Sequence, residues 1–428
     1  MKYTKTILSA VMMVCMSLSA VAITLPNIPS KQVIITDFGA SIASLDNAAA
    51  IQKAIDDCAA SGGGKIVIPK GIFLSGPLWM KDHTELNLSA GSVLKMLPYG
   101  EGNGVRPNTF PNNGTMDMYP HLISAVKSTS HIKVSGSGTL DGDGSAWWTV
   151  YRAGKKMKRG CLIRLEGCRY IEITGITLKN SPNVHITIGK GCTDATITGV
   201  TIDTPSDSPN TDGIDTWSAN VQILKCKISC GDDNVAMDSE SQNITIKHCY
   251  FGSGHGCSIG SFTKNAQNIL VDSCTFVGTT SAIRMKSNRD RGGNESNITY
   301  SNLTISGVVT PISISSYYPK TPKHPEDDPA QTVTATTPTW KNILIKNVTI
   351  SGCQKPCIIW GLPEMPIGKV VLDNVYIKSD KTMLINYASD VSFINKSKIV
   401  VSNGDAISSY ESTINGIDLA MGKAIQIK

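Results

Sequence analysis

From about Ile132 onward, the chain alternates apolar and polar residues in short runs that recur along the sequence. Each repeat unit holds two runs with apolar residues at every second position, which is typical of β-strands that bury one face. The first residues of successive units lie 23 to 29 residues apart, except for one gap of 45 residues. The units cover residues 170–178, 194–202, 220–228, 243–251, 268–276, 297–305, 342–350 and 369–377. The long gap leaves room for another strand at residues 311–315.

A period of this length, with strands and no helices, predicts an all-β solenoid whose coils bury their apolar faces against each other. Two columns of identical residues support this prediction. Stacked side-chain amides can hydrogen-bond along a β-stack, and one unit position is occupied by Asn220, Asn243, Asn268, Asn297 and Asn342. Another position holds Cys226, Cys249 and Cys274, interpreted as an interior column of small apolar side chains and not as disulfides. A β-sandwich, the alternative all-β fold, explains neither column.

The segment before the repeats predicts a cap on the N-terminal end of the solenoid. A first strand is expected at residues 33–38, a helix at 45–60 capped by Ser44, and short strands at 66–68 and 72–74. Residues 395–428 are weakly periodic and are expected to close the other end. Residues 23–428 are therefore predicted to form a single β-helix domain without a linker.

The first 22 residues have the pattern of a secretory signal peptide. A basic start is followed by an apolar run from Ile7 to Ala20 and by the small residues Ala20-Val21-Ala22. This run is short for a membrane span, and no other stretch is long enough. We therefore expect a secreted or periplasmic protein with no membrane attachment after cleavage. Loss of Lys2 and Lys5 lowers the formal net charge from +6 to +4, and the absence of a long basic block argues against nucleic acid as a partner.

The twelve cysteines include Cys15 in the predicted signal peptide, which leaves an odd number in the mature chain. No Cys/His group has the spacing of a zinc site. Cys353 and Cys357 are close enough in sequence for a disulfide, and the sequence leaves their pairing open. The basic run at residues 152–159 lacks interleaved aromatic residues and is interpreted as a solvated loop.

Four polar clusters interrupt the repeats at about one coil's separation. They are Asn210-Thr211-Asp212, Gly231-Asp232-Asp233, Gly254-His255-Gly256 and Arg284-Met285-Lys286. Residues one coil apart in a solenoid lie about 4.8 Å apart, so the clusters are expected to stack on one face.

This stack has the composition of a site for glycosidic cleavage. Crowded carboxylates raise the pKa of at least one of them, and such cleavage needs both a protonated and an ionised carboxyl group. Two cations next to the carboxylates suit a substrate that is itself an acid, such as a uronate. Each motif taken singly is ordinary turn chemistry, but four of them at coil spacing are not. A calcium site is the other use of clustered aspartates, and His255 with two flanking cations argues against it.

These motifs, in this order, resemble the four signatures of the glycoside hydrolase family 28 polygalacturonases, most of all the secreted bacterial ones. The resemblance extends to residues 136–142, to residues 180–185 and to Tyr318. One departure is Met285, where the family usually has Ile; its side chain is expected to point inward.

The resemblance implies a right-handed parallel β-helix that hydrolyses α-1,4-linked galacturonic acid in pectate, with inversion and without a metal or other cofactor. By motif position, Asp232 is the general acid, and Asp212 and Asp233 activate the water. His255 supports the acid. The implied substrate-binding residues are Arg284, Lys286, Tyr318 and Asn210.

Several alternatives remain open from the sequence. The chain-end mode of cleavage (an exo-acting galacturonosidase) and a rhamnogalacturonan hydrolase share the implied chemistry. A pectate lyase and a non-catalytic carbohydrate-binding β-helix do not. Loops at residues 98–118, 143–160 and 316–336 are expected to decide between internal and terminal cleavage. Trp147 and Trp148 are interpreted as packing residues or as a stacking surface for sugar. A monomer acting on an anionic polysaccharide is expected.

Overall fold

The computed structural model describes residues 23–100, 109–110, 121–155 and 157–416. The chain folds into a right-handed parallel β-helix, as predicted. The predicted signal peptide, most of the loop at 98–118 and residues 417–428 lie outside the described residues. Among the helices that are described, none is long and apolar enough to cross a membrane.

In the described residues the strands form two parallel sheets, called sheet 1 and sheet 2, with 23 and 12 strands. The strands of sheet 1 are Gln32–Ile34, Gly64–Ile68, Gly71–Ser75, Thr84–Leu88, Ser92–Met96, Ser130–Gly136, Thr139–Asp141, Arg169–Thr174, Thr177–Lys179, Thr193–Thr198, Thr201–Asp203, Ala219–Leu224, Lys227–Ser229, Gln242–Lys247, Tyr250–Phe251, Gln267–Asp272, Thr275–Val277, Ser296–Ser306, Lys341–Cys353, Val370–Ser379, Val391–Ile394, Lys398–Val401 and Ile414–Asn415. The strands of sheet 2 are Leu78–Trp79, Ile123–Ala125, Ile163–Leu165, Ile186–Ile188, Ile214–Thr216, Val235–Met237, Cys257–Ile259, Ser281–Lys286, Thr310–Ser315, Ile358–Trp360, Met383–Asn386 and Ile407–Tyr410.

The repeat units of the sequence are the strands of sheet 1. A typical central coil contributes two strands to this sheet and one strand, often of three residues, to sheet 2. Parallel pairing places apolar side chains directly above one another, as with Ile173, Ile197 and Ile223, all fully buried. The interior is therefore a set of apolar columns that run the length of the solenoid.

The predicted asparagine column is present and hydrogen-bonded. Asn243 Nδ2 donates to Asn220 Oδ1 at 3.0 Å, and Asn268 Nδ2 donates to Asn243 Oδ1 at 3.1 Å. The ladder continues through Asn297 to Asn342. Each of these residues has a left-handed backbone, with φ of +55° at Asn268. Asparagine suits this position for two reasons: it tolerates the left-handed backbone conformation, and its side-chain amide can both donate and accept a hydrogen bond.

The cysteine column is also interior. Cys226, Cys249 and Cys274 are at most 3% exposed. Within the described residues every cysteine carries a free thiol, including Cys353 and Cys357, so the disulfide left open by the sequence is not formed in this structure.

Helix α1 (Ala48–Ala60) lies within the predicted range, packs against the first coils and buries Ile51, Ala54 and Ile55. The predicted cap at Ser44 is wrong, since the helix begins after Asn47. The Ser44 hydroxyl instead donates to the Asp46 carbonyl, and Asp46 Oδ1 accepts from the Ala48 N–H at 2.8 Å. The strand predicted at 33–38 ends at Ile34, and a 3₁₀-helix (Ile35–Phe38) follows.

A second helix, α2 (Ser145–Arg152), was not predicted. It carries Trp147 and Trp148, whose side chains are 0% and 6% exposed. Trp148 Nε1 donates to the Ser181 carbonyl at 3.1 Å, and Trp147 packs edge-on against Tyr99. Both tryptophans are therefore packing residues and present no stacking surface to a sugar. A short 3₁₀-helix (Pro325–Asp327) lies in the loop at 316–336.

Candidate active site

The strands of sheet 2 bring the predicted site residues together on one outer face. Parallel pairing aligns Ile214 with Val235, and Val235 with Cys257. Asp212, Asp233 and His255 each stand two residues before these aligned positions, so they form one column. Arg284 and Lys286 follow on the strand Ser281–Lys286, whose inward-facing Met285 is fully buried as expected.

Asp233 is the centre of the cluster and is only 2% exposed. Arg284 Nη1 donates to its Oδ1 at 2.6 Å, and Lys286 Nζ donates to its Oδ2 at 2.7 Å. The Ser258 hydroxyl also donates to Oδ1, at 2.6 Å. A buried carboxylate requires such partners to remain ionised. These three donors hold the Asp233 side chain in a fixed orientation.

Asp232 lies beside His255 and is partly exposed on the outer face of sheet 2, which is called the groove. His255 Nδ1 is 3.0 Å from Asp232 Oδ1, and Asn210 Nδ2 donates to Oδ2 at 3.3 Å. Burial raises the pKa of Asp232, but the contact with His255 and the charges of Lys286 and Arg284 together lower it below its usual value. In the unliganded protein Asp232 is therefore an anion.

Asp212 has the opposite electrostatic environment. Its surroundings are mostly protein although part of its surface faces the groove. Burial first, and then the negative charges of Asp215, Asp232 and Asp233, raise the pKa of Asp212 well above its usual value. The sequence-based expectation that crowding raises the pKa of one carboxyl group is met at this residue.

The buried His185 holds the backbone at Asp212 in place. Its Nδ1 and its backbone N–H both lie 2.9 Å from the Asp212 carbonyl oxygen, and Nε2 lies 2.7 Å from the Thr204 hydroxyl. Burial lowers the pKa of His185 to about 4. The ring is therefore neutral at pH 7, and we assign its proton to Nδ1, because a carbonyl oxygen can only accept.

Asn234 and Gly256 place His255 in the column. The buried Asn234 accepts from the Gly256 N–H at 2.7 Å and donates to the Ser253 carbonyl at 2.9 Å, so it ties down the turn around His255. Gly256 has φ of +79°, and a Cβ there would lie 2.2 Å from the Ser281 carbonyl oxygen. A larger residue would push this turn away from the next coil.

The interpretation of residues 152–159 as a solvated loop is wrong for Arg159, which is 8% exposed. Its guanidinium donates to the carbonyl groups of Pro182 and Pro209 and, at 2.8 Å, to Asn210 Oδ1. Asn210 is thus held between Arg159 and Asp232. A charge-pattern argument could not find this role, because the partners are backbone carbonyls far away in sequence.

Two further carboxyl groups on this face, Asp215 and Asp238, were missed by the sequence analysis. Burial, followed by the charges of neighbouring carboxylates, raises the pKa of Asp215 well above its usual value. Burial also raises the pKa of Asp238, to about 7. The signal for Asp215 was its position between the inward-facing Ile214 and Thr216, which predicts an outward-facing side chain.

Tyr318 joins the site from the loop at 316–336, and its ring centroid lies 5.3 Å from Lys286 Nζ. Arg289 anchors this loop by ion pairs of 2.6 Å to Asp328 and to Glu364. The Tyr317 hydroxyl donates to Asp328 at 2.6 Å. The loop is thereby fixed with Tyr318 beside Lys286.

Asp232, Asp233 and His255 offer ligand atoms within 4.8 Å of one another, which is close enough to hold a metal ion. However, both oxygens of Asp233 already accept from cations. A divalent ion here would face Arg284 and Lys286 at short range, which is unfavourable. The charges of this cluster are better suited to an anionic ligand than to a metal.

Comparisons with known proteins identify similar sequences and similar folds. Residues 58–423 match the family model described as glycosyl hydrolases family 28. An endo-polygalacturonase of Pectobacterium carotovorum subsp. carotovorum is 32% identical over 357 residues, which cover 78% of this chain and 85% of the relative. The solved polygalacturonase of Erwinia carotovora ssp. carotovora superposes with a TM-score of 0.69 at 26% identity, covering 94% of this chain and 99% of the other. An exopolygalacturonase structure from Thermotoga maritima has a TM-score of 0.70 at 22% identity, covers 83% of this chain and 89% of its own, and supports the fold.

Proposed function

Because the chain belongs to glycosyl hydrolases family 28, we propose that it is a polygalacturonase that hydrolyses α-1,4 bonds between galacturonic acid residues of pectate. The observation that carries this proposal is the pair of cations, Arg284 and Lys286, bound to the buried Asp233. Each uses only part of its donor capacity on Asp233, so N–H groups remain for a galacturonate carboxylate. A neutral sugar would leave the remaining N–H groups of Arg284 and Lys286 without an anionic partner.

Asp232 is the proposed general acid, and it must carry a proton when substrate is bound. In the free groove its pKa is lowered, in part by Lys286 and Arg284. Galacturonate carboxylates that pair with these cations remove that effect and add negative charge next to Asp232. Substrate binding thus raises the pKa of Asp232, and His255 helps to place the proton.

Asp212 and Asp233 are the proposed bases that orient and deprotonate the attacking water. Attack from the side opposite to Asp232 inverts the anomeric centre. Arg284 and Lys286 hold the Asp233 carboxylate in place, whereas Asp212 has a raised pKa. A raised pKa makes the Asp212 anion a strong base, so Asp212 takes the proton of the attacking water and Asp233 orients that water. Asn210 aligns Asp232, and Tyr318 flanks the sugar bound at Lys286.

The proposed setting is the periplasm or the outside of the cell, where a monomer meets pectate. Internal and terminal cleavage are separated by one measurement, the size of the products over time. Early products of mixed length indicate internal cleavage, whereas a single short product from the start indicates cleavage at the chain end.

The activity itself is tested with polygalacturonate in the presence of a chelator. Hydrolysis gives new reducing ends without the absorbance of an unsaturated product. Unsaturated products that require Ca²⁺ would indicate a lyase instead, and cleavage of rhamnogalacturonan alone would indicate a different pectic substrate. Absence of any cleavage would contradict the proposal.

The acid assignment is tested with Asp232→Asn. We expect turnover to fall by at least about a thousand-fold, since general acid catalysis and the charge of the site are both lost, while oligogalacturonate still binds. Asp203→Asn, at an exposed carboxylate on sheet 1, is the control and should leave turnover unchanged. Near-normal turnover of Asp232→Asn would require another acid.

A further inference from the structure

A strip of cations and aromatic rings follows the C-terminal ends of the sheet 2 strands. It consists of Lys190, Trp217, Phe262 and Arg291, which we call the groove-edge strip. The first three come within three residues after the strands Ile186–Ile188, Ile214–Thr216 and Cys257–Ile259. None of these four residues was predicted from the sequence to belong to the site, and none belongs to the carboxylate cluster.

The members of the strip contact one another in sequence along the solenoid. Lys190 Nζ lies 5.6 Å from the Trp217 ring centroid, and the Trp217 and Phe262 centroids are 6.1 Å apart. The Arg291 guanidinium lies 4.6 Å from the Phe262 ring. Arg291 also lies 5.9 Å from the ring of Tyr318, which borders Lys286. The strip is therefore continuous with the catalytic cluster.

The strip is open to solvent. Phe262 is 46% exposed, Lys190 is exposed and Trp217 is partly exposed. Neither Lys190 nor Arg291 forms an ion pair with a carboxylate among the residues that the structure describes. Exposed aromatic surface beside cations that form no ion pair suits a ligand with apolar faces and negative charges.

We propose that the groove-edge strip binds galacturonate units of the substrate that lie away from the scissile bond. The apolar faces of these sugar rings pack on Trp217 and Phe262, and their carboxylates pair with Lys190 and Arg291. The strip spans four coil steps, or about 19 Å at about 4.8 Å per step, which exceeds one sugar. This inference rests on the proposed function, because it assumes a polymeric uronate in the groove.

A matched control pair lies on the other side of the solenoid. Lys227 Nζ is 5.9 Å from the ring of Tyr250 on sheet 1, and Tyr250 is 39% exposed. This pair has the same chemistry as the strip but does not border the groove. Its removal reports the general cost of losing an exposed cation–aromatic contact.

The test measures kcat/KM on a length series of purified oligogalacturonates for Trp217→Ala, Phe262→Ala and Lys190→Ala. We expect the two aromatic variants to lose roughly ten-fold on long oligomers relative to the shortest cleaved one. Lys190→Ala should lose roughly three-fold, and added salt should shrink that loss. Lys227→Ala and Tyr250→Ala should match the wild type at every length.

If kcat/KM depends on oligomer length in the same way in all variants and in the wild type, the proposed role of the strip is wrong. Equal losses of kcat/KM in the control pair would contradict it as well. Phe262 and Lys190 are surface residues, so their variants remain informative if Trp217→Ala folds poorly. If the wild type cleaves no oligomer, the proposed function fails. Calorimetric titration of the same series then decides the strip separately: affinity that grows with length in the wild type and is lost in Phe262→Ala supports it, and the absence of such affinity overturns it.

Discussion

Asp215 and Asp212 show how one carboxyl group sets the charge of its neighbour. Asp212 is required as an anion for the proposed attack on the sugar, yet its pKa is raised, after burial, most strongly by Asp215. We therefore expect the acidic limb of the activity profile to report the ionisation of Asp212, because activity should appear as pH rises through the raised pKa of this residue.

Asp215→Asn replaces a carboxyl group that disfavours the ionisation of Asp212 with a neutral amide, so we expect the pKa of Asp212 to fall. The acidic limb of kcat/KM should then move to lower pH. The measurement is a pH profile on polygalacturonate for the variant and for the wild type. An acidic limb that stays in place would show that Asp215 does not tune Asp212.

Arg159 is a second residue whose effect passes through others. Arg159→Ala leaves the carbonyl groups of Pro182 and Pro209 without their donor and releases Asn210 from one side. We expect roughly a ten-fold loss of kcat/KM and a lower melting temperature. Arg152→Ala is the matched control in the same basic run, because Arg152 pairs at the surface with the exposed Asp207. Equal effects in the two variants would contradict a positioning role for Arg159.

At the scale of the element, the asparagine ladder joins the second residues of successive sheet 1 strands. Asn268 donates to Asn243, accepts from Asn297 and has a left-handed backbone. Replacement by Gly removes the two amide hydrogen bonds but keeps the backbone conformation accessible. Replacement by Ala removes the same bonds and adds backbone strain.

We therefore expect Asn268→Ala to lower the free energy of unfolding by roughly 2 to 4 kcal/mol, and Asn268→Gly by about 1 kcal/mol less than that. Chemical denaturation of both variants measures the difference. Equal losses would mean that the backbone conformation contributes nothing to the choice of asparagine.

The repeating elements were predictable, and the irregular ones were not. Sheet 1 follows from the alternation within each unit, because the same pattern recurs in every coil. Helix α2 was missed because its eight residues carry no long apolar period, and its tryptophans are buried by contacts such as that with Tyr99. Arg159 and Asp238 were missed for a related reason: their roles depend on which loops meet across coils, and a local pattern does not contain that information.

At the scale of the whole molecule, the raised pKa values make folding depend on pH. Asp238 has a folded-state pKa of about 7, raised by burial, against an ordinary value of 3.8. Between these values the folded chain holds a proton that the unfolded chain has released. This contribution to stability is complete below about pH 4 and is lost as pH rises toward 7.

Asp238→Asn removes this dependence, so the variant should gain stability relative to the wild type as pH increases from 4 to 7. The gain has an upper size of roughly 4 kcal/mol, and the side-chain oxygen of Asn can still accept from the Phe262 N–H. Melting temperatures across this pH range measure it, with the exposed Asp203→Asn as control. A constant difference between Asp238→Asn and the wild type would contradict the assignment.

The in-register column of Asp212, Asp233 and His255 has a mechanical consequence. Each of these residues lies on a different coil of one continuous hydrogen-bonded sheet, so the distances between them are fixed by the spacing of the strands. A site built on one continuous sheet cannot close on its substrate by the movement of hinged domains. Any difference between the spacing of these residues and the repeat of the sugar chain must therefore be accommodated by a change in the conformation of the sugar chain.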